Sequence, residues 1–282
     1  MSDQSKSSNQ QNPLGQTVEY VSTYQPKLLF AIAREEKRVE IGITGDLPFV
    51  GEDIWNAYEV SWLNLNGVPR VATAEFRFPA DSPNIIESKS FKLYLNSFNQ
   101  TKFESFESVR QTIKQDLEAA SLASVEVRID EVGINQAILD QSADVTCIDH
   151  IDIAIDSYEY NPDLLNSKPL LDETSSIEES LCSHLLKSNC LITSQPDWAS
   201  IFIRYQGAPI DHARLLAYII SFRNHNEFHE QCVERIYSDI MSHCKPDKLT
   251  VYARYTRRGG LDINPWRSNF ESNMPNNRLI RQ

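Results

Sequence analysis

Tyr94-Leu95-Asn96-Ser97-Phe98 returns downstream as Tyr218-Ile219-Ile220-Ser221-Phe222, and Phe103 and Phe228 follow the two copies at nearly the same distance. An echo of this kind within one chain points to a duplicated module, and the order of elements around each copy supports it. Ahead of the first copy, Tyr58, Val60 and Trp62 alternate as a strand, turn at Asn66-Gly67 and return through Val71, Thr73 and Phe76. The period then becomes helical with Phe91, Leu95 and Phe98. A second helix carries Val109, Ile113 and Leu117, and Val125 to Ile129 alternates again. The second half repeats this order. Ile151 to Ile155 and Ile201 to Tyr205 read as strands, 210–222 and 228–244 as helices, and Leu249 to Tyr255 as a closing strand. The expectation is an α+β protein of two similar modules, 17–140 and 141–282, behind a disordered Ser-, Gln- and Asn-rich tail over 1–16.

Composition narrows the function. At 282 residues with 41% hydrophobic side chains, the chain can bury a full core without disulfides or metal. Nine glycines leave little material for a glycine-rich nucleotide loop, and neither G-x-G-x-x-G nor a P-loop occurs. The formal charge of -12 opposes direct binding to nucleic acid. The span 245–282 nonetheless holds eight Lys or Arg against three Asp or Glu, which suits a small anionic ligand. Five cysteines without a C-x-x-C pair and without a secretory signal indicate a reducing cytoplasm. No apolar run reaches membrane-spanning length.

Four polar clusters carry candidate chemistry. In Ser188-Asn189-Cys190 and Pro196-Asp197-Trp198, a cysteine precedes an aspartate across a proline-shaped loop, the layout of an activated thiolate beside a proton donor. Trp198 is expected to desolvate Asp197 and raise its pKa. A buried structural cysteine is the plainer alternative. Arg223 to Glu230 joins two apolar helical segments. His225 and His229, four apart, would share a helix face and could join a cysteine around zinc, or could line a solvated loop. Glu87-Ser88-Lys89-Ser90-Phe91-Lys92-Leu93-Tyr94 groups hydroxyl and ammonium donors at a helix start, and reads equally as a capped helix with exposed lysines. Arg257-Arg258-Gly259-Gly260 ends a strand in the basic segment and could grip phosphate.

Taken in order, these motifs, with Phe222-Arg223, His229-Glu230 and Tyr255-Thr256-Arg257-Arg258-Gly259-Gly260, resemble the long, two-module NADPH-dependent 7-cyano-7-deazaguanine reductases. The resemblance implies tandem tunnelling-fold (ββααββ) modules, antiparallel sheets forming a barrel with helices outside, and a homodimer of two-module chains. It implies that Cys190 attacks the nitrile and Asp197 protonates its nitrogen, giving a thioimide that NADPH reduces. Ile86, Glu87, Ser88, His229 and Glu230 would bind the substrate, with Glu230 accepting from its N–H edge. Ser88, Lys89, Arg258 and Gly259 would hold the cofactor, with Arg257 a further candidate, and no metal is implied. The first module keeps Glu87-Ser88-Lys89 and has Phe103-Glu104 where the second has Phe228-His229; the second keeps His229-Glu230 and has Asp211-His212 near the Glu-Ser position. The site is therefore expected to be assembled from both halves. Two other readings stand beside this one: a zinc-dependent hydrolase resembling GTP cyclohydrolase, with Cys190 and His225 or His229 as ligands, and a purine-binding module without catalysis.

Overall fold

The computed structural model describes residues 21–132, 145–166 and 176–282. The expected tail over 1–16 and the boundary at 140/141 lie outside the described residues. In chain order, the first half contains β1 (Ala31–Ala33), α1 (Arg34–Glu40), β2 (Val50–Leu63), β3 (Pro69–Pro79), β4 (Asn84–Ile86), α2 (Ser88–Asn96), α3 (Phe106–Ser121) and β5 (Glu126–Glu131). The second contains β6 (Thr146–Cys147), β7 (Ile177–Asn189), β8 (Pro196–Gly207), α4 (His212–Ser221), α5 (His229–His243), β9 (Lys248–Tyr255) and β10 (Leu261–Ser268). The strands form an eight-stranded sheet in the order β5-β3-β2-β10-β9-β8-β7-β6, with β1 and β4 paired separately. All its pairs are antiparallel except β6 on β7.

Periodicity explains the helices. In α3 the residues Val109, Ile113 and Leu117 form a fully buried stripe, and the helix starts at a Ser105/Ser108 capping box. They pack with Phe91, Tyr94 and Phe98 onto Trp55, Phe76 and the rest of the first-half core. A second core gathers α4 and α5 on β7, β8 and β9. Each half locks its helices in the same way. Tyr94 and Tyr24 donate to Asp116, while Tyr218 and Tyr160 donate to Asp239. Ser97 and Ser221 bond the carbonyls of Tyr94 and Tyr218. The tyrosine and the serine of the repeated pentapeptide are thus the buttress of each helix pair.

The halves meet where β10 runs along β2, from Leu261 opposite Ala57 to Ser268 opposite Val50. Gly51 makes that approach possible, because a Cβ there would lie 2.1 Å from the Trp266 carbonyl oxygen. A buried ion network crosses the same seam. Arg34 and Arg267 pair with Asp53, and Arg38 and Arg267 with Glu234, so that α1, β2, α5 and β10 are joined by charge. Removing one partner of such a network strands a buried charge and costs about 3–5 kcal/mol.

One sequence expectation changes. Ile151 to Ile155 is not a strand. Its alternation records Ile151 and Ile153 leaning on the second core, while the edge of β7 is taken by β6. The Asn66-Gly67 hairpin is present with Gly67 in the left-handed region, but its loop is longer than two residues, Asn64 closing it on Val68. Within the basic segment Arg267 and Arg254 are buried and Arg257 and Arg278 lie over the Tyr58 ring and donate to the Gln282 carbonyl, while Lys245, Lys248, Arg258 and Arg281 are exposed. β10 left no periodic signal because every one of its side chains is buried.

Candidate active site

Cys190 and Asp197 flank the turn of one hairpin, Cys190 just past the end of β7 and Asp197 near the start of β8. β7 and β8 pair through Ser188 opposite Asp197 and Asn189 opposite Pro196, and the turn closes as Cys190 N–H donates to Gln195 O at 2.8 Å. Ser194 takes a positive φ to make the turn, donating back to Cys190 O. Pro196 therefore starts a strand rather than interrupting a loop. Around Cys190, burial opposes the thiolate. Hydrogen bonds from Thr193, from the Ile192 backbone and from Arg258 outweigh it and hold the thiol below its usual range.

The chain between α4 and α5 is bound to the end of β7. Asn189 N–H donates to His225 O at 2.8 Å and Glu227 N–H to Asn189 O at 3.0 Å. This carries the start of α5 to the end of β9, where the His229 ring stacks on Tyr255 at 3.9 Å. His229 Nε2 lies 3.2 Å from Asp197 Oδ2, off the line of a hydrogen bond, and Arg258 Nη1 lies 3.1 Å from Asp197 Oδ1. Asp197 is thus buried between an imidazole and a guanidinium. Trp198 is not its neighbour: the next residue on a strand points to the other face, where Trp198 is exposed against Arg223. Desolvation by that tryptophan is corrected accordingly.

Glu230 follows His229 on the first turn of α5 and is buried. Burial, reinforced by the negative charge of Asp53, pushes its carboxyl up to about 7, against the pull of His229 and Arg34. Among the described residues no side chain hydrogen-bonds to this carboxylate, which leaves its acceptors to a ligand. Glu87 differs. It caps α2, its Oε1 accepting from Lys89 N–H at 2.9 Å and its Oε2 from Ser90 N–H at 2.7 Å. Each oxygen is engaged by the helix first, so Glu87 can lend a ligand only its remaining lone pairs.

One cavity gathers these groups. From the first half it is lined by Trp55, Ile85, Ile86, Glu87 and Ser88; from the second by Cys190, Asp197, Glu227 to Glu230, Arg258 and Ile263. Lys89 and Gly259 stand outside the lining, both exposed and each one residue from a lining residue. Sequence reasoning missed Trp55, Ile85 and Ile263, which give the cavity apolar walls but sit in strands as ordinary buried residues. Glu227 was only part of a polar run; it is buried and held by both Arg235 Nε and Nη2. His225 is not on a helix with His229. It precedes α5, near Glu227 and against Tyr160 and Phe222. Among the described residues, Cys190, His225 and His229 do not converge as metal ligands.

Known proteins agree with one another on what this arrangement belongs to. Residues 20–129 match the family model described as "Nitrile reductase, 7-cyano-7-deazaguanine-reductase N-term", and residues 196–274 match "QueF-like protein". The NADPH-dependent 7-cyano-7-deazaguanine reductase of Cupriavidus metallidurans is 57% identical over 270 residues, covering 95% of this chain and 96% of that protein. The proteins of the same name from Dechloromonas aromatica, 56% identical over 96% of this chain and 95% of theirs, and Hydrogenovibrio crunogenus, 55% identical over 95% and 96%, match equally broadly. One solved structure, of the archaeosine synthase QueF-Like in the apo form, covers 35% of this chain and 97% of its own at 15% identity and a TM-score of 0.30, too low to bear on the fold. With relatives this similar across nearly its whole length, the chain belongs to the family of NADPH-dependent 7-cyano-7-deazaguanine reductases.

Proposed function

We propose that this chain reduces the nitrile of 7-cyano-7-deazaguanine to the aminomethyl group, with NADPH, on the route to queuosine in tRNA. The observation that carries the reading is the joint lining of one cavity by a thiol held below its usual range, a buried Asp–His–Arg cluster and a carboxylate with free acceptors.

A nitrile carbon is electrophilic at carbon and basic at nitrogen, so addition needs a nucleophile and an acid together. Cys190 Sγ forms the C–S bond as Asp197 protonates the nitrogen, leaving a thioimide on the enzyme. His229, 3.2 Å from Asp197, is placed to replace that proton. Reduction of the thioimide expels the Cys190 thiolate, and a second reduction of the released imine gives the amine. When bound, NADPH supplies the two hydride equivalents that this four-electron change requires. The donor set fits the cofactor: the Ser88 hydroxyl and the Arg258 guanidinium share the cavity, Lys89 and Gly259 are exposed beside them, and a cofactor phosphate would meet two cations there. The Lys89 and Ser90 N–H groups at the start of α2 do not serve phosphate, because Glu87 already engages them. Glu230 accepts from the ring N–H and exocyclic amine of the deazaguanine, with Glu87 and His229 at its flanks and Ile86, Trp55 and Phe228 as apolar walls.

The same reading extends to the architecture: two tunnelling-fold modules, 17–140 and 141–282, in a barrel closed by a second copy of the chain. Among the described residues β5 and β6 end the sheet, and such edge strands support pairing with a second chain. Free thiols support the cytoplasm, and the acidic balance supports a free base rather than tRNA itself as substrate. No helix among the described residues is long and apolar enough to cross a membrane.

Following absorbance as the nitrile is added tests the reading. Two NADPH should be consumed per nitrile, and Cys190→Ala should remove both turnover and the covalent adduct detected by mass. An adduct persisting in that variant sinks Cys190 as nucleophile; binding without oxidation would favour the purine-binding module.

A further inference from the structure

Away from the cavity, at the outer edge of the sheet, β6 holds on to β7 by only two residue pairs, Thr146 with Leu181 and Cys147 with Cys182. The strands are parallel there, so the two cysteines stand side by side on one face. His184, two residues further along β7, lies in the bulge after Ser183 and stands near both cysteines. One ligand atom from each of Cys147, Cys182 and His184 lies within 4.8 Å of the other two. Two sulfurs and an imidazole nitrogen on neighbouring strands form a soft donor set that suits a d¹⁰ cation such as zinc.

The surroundings are built to present it. Ser200 Oγ lies 2.8 Å from His184 Nδ1, orienting the ring and leaving Nε2 for a ligand. Asp149, just past β6, accepts from the Ser183 hydroxyl at 2.6 Å and from His184 N–H at 2.9 Å, fixing the segment that carries Cys147 against β7. Cys182 is buried and His184 exposed, so a cation would enter from the solvent side and keep one position for water.

We infer that Cys147, Cys182 and His184 form a zinc-type site that pins β6 to the sheet edge. It lies roughly 25 Å along β7 from Cys190, at about 3.3 Å per residue, and takes no part in the nitrile chemistry. Zinc recovered with the protein would accordingly be no sign of a metal-dependent hydrolase.

The test uses the full chain, reduced and stripped with chelator, titrated with cobalt(II) alone. A thiolate-to-cobalt absorption band should grow to an endpoint at one equivalent, with the thermal midpoint rising and NADPH turnover unchanged. The band should be lost in Cys182→Ser and in His184→Ala, the latter an exposed change that leaves the core intact, and kept in Cys190→Ala. No band at one equivalent, an undiminished band in His184→Ala, or a band lost in Cys190→Ala would each overturn the site.

Discussion

The two halves share a scaffold and differ in what they hang on it. Leu63 N–H bonds Thr101 O and Phe103 N–H bonds Leu63 O in the first; Asn189 N–H bonds His225 O and Glu227 N–H bonds Asn189 O in the second. Strand pairing sets Leu63 against Pro69 as it sets Asn189 against Pro196. By these markers Asn64 stands where Cys190 does, and Arg70 where Asp197 does. The tyrosine–aspartate buttresses place Phe106-Glu107 opposite His229-Glu230, which revises the Phe103-Glu104 correspondence read from sequence. Glu107 is exposed and salt-bridged to Arg110, whereas Glu230 is buried. In the other direction, Asp211 caps α4 as Glu87 caps α2. One half holds the reacting groups, the other completes their cavity, and equivalent backbone positions have diverged into chemistry on one side and plain surface on the other.

The sharpest break in the comparison comes at the acid. Asp197→Asn should slow adduct formation by about 10²–10⁴-fold with nitrile binding largely kept, the usual worth of a positioned proton donor. Arg70→Ala, at the equivalent place, should leave the rate alone. Stopped-flow absorbance of the adduct reads both, and an unchanged rate in Asp197→Asn removes it as donor.

Next comes Glu230→Gln, expected to weaken nitrile binding by the value of charge-assisted hydrogen bonds, about 1.5–3 kcal/mol, while Glu107→Gln changes nothing. The pH dependence follows from a carboxyl raised to about 7. KM for the nitrile should rise as pH falls below that value, because the protonated form loses an acceptor. For the ligand-free fold the sign reverses. Stability is full below the unfolded carboxyl value of about 4.3 and is lost as pH rises toward 7, so Glu230→Gln should raise the thermal midpoint at pH 8. A KM independent of pH in the wild type would contradict the role given to Glu230.

The smallest effect separates capping from binding. Glu87→Ala and Asp211→Ala should each cost about 0.5–2 kcal/mol of stability in denaturant unfolding, as lost caps do. Only Glu87→Ala should also raise KM. Equal kinetics in the two variants would reduce Glu87 to a cap.

How much of this was legible in sequence depends on what each element buries. α3 and α5 wrote themselves as apolar stripes, and β8 and β9 carried enough apolar runs to be seen. β7 hid behind the bulge between Ser183 and Leu186, which breaks its alternation, and β10 behind burial on both faces and a proline at 265. The site residues were found as motifs, but their arrangement was not. Trp198 looked adjacent to Asp197 because it is the next residue, and strand geometry sends it to the opposite face. His225 and His229 looked like a helical pair because of their spacing, and the first helical turn begins only at His229.

The β2–β10 seam also has a meaning in time. β2 is among the first long strands to leave the ribosome and β10 follows every other strand of the sheet, so most of the protein is made before β2 receives that partner. Until then Ile54, Trp55 and Ala57 line an open edge, the kind that recruits strands from other nascent chains. The contacts that end this exposure span some 200 residues and are slow to find. A ribosome-bound or truncated chain lacking β10 should therefore call on chaperones, and it has no way to seat Glu87 beside Cys190 early: catalytic competence arrives only with the closing strand.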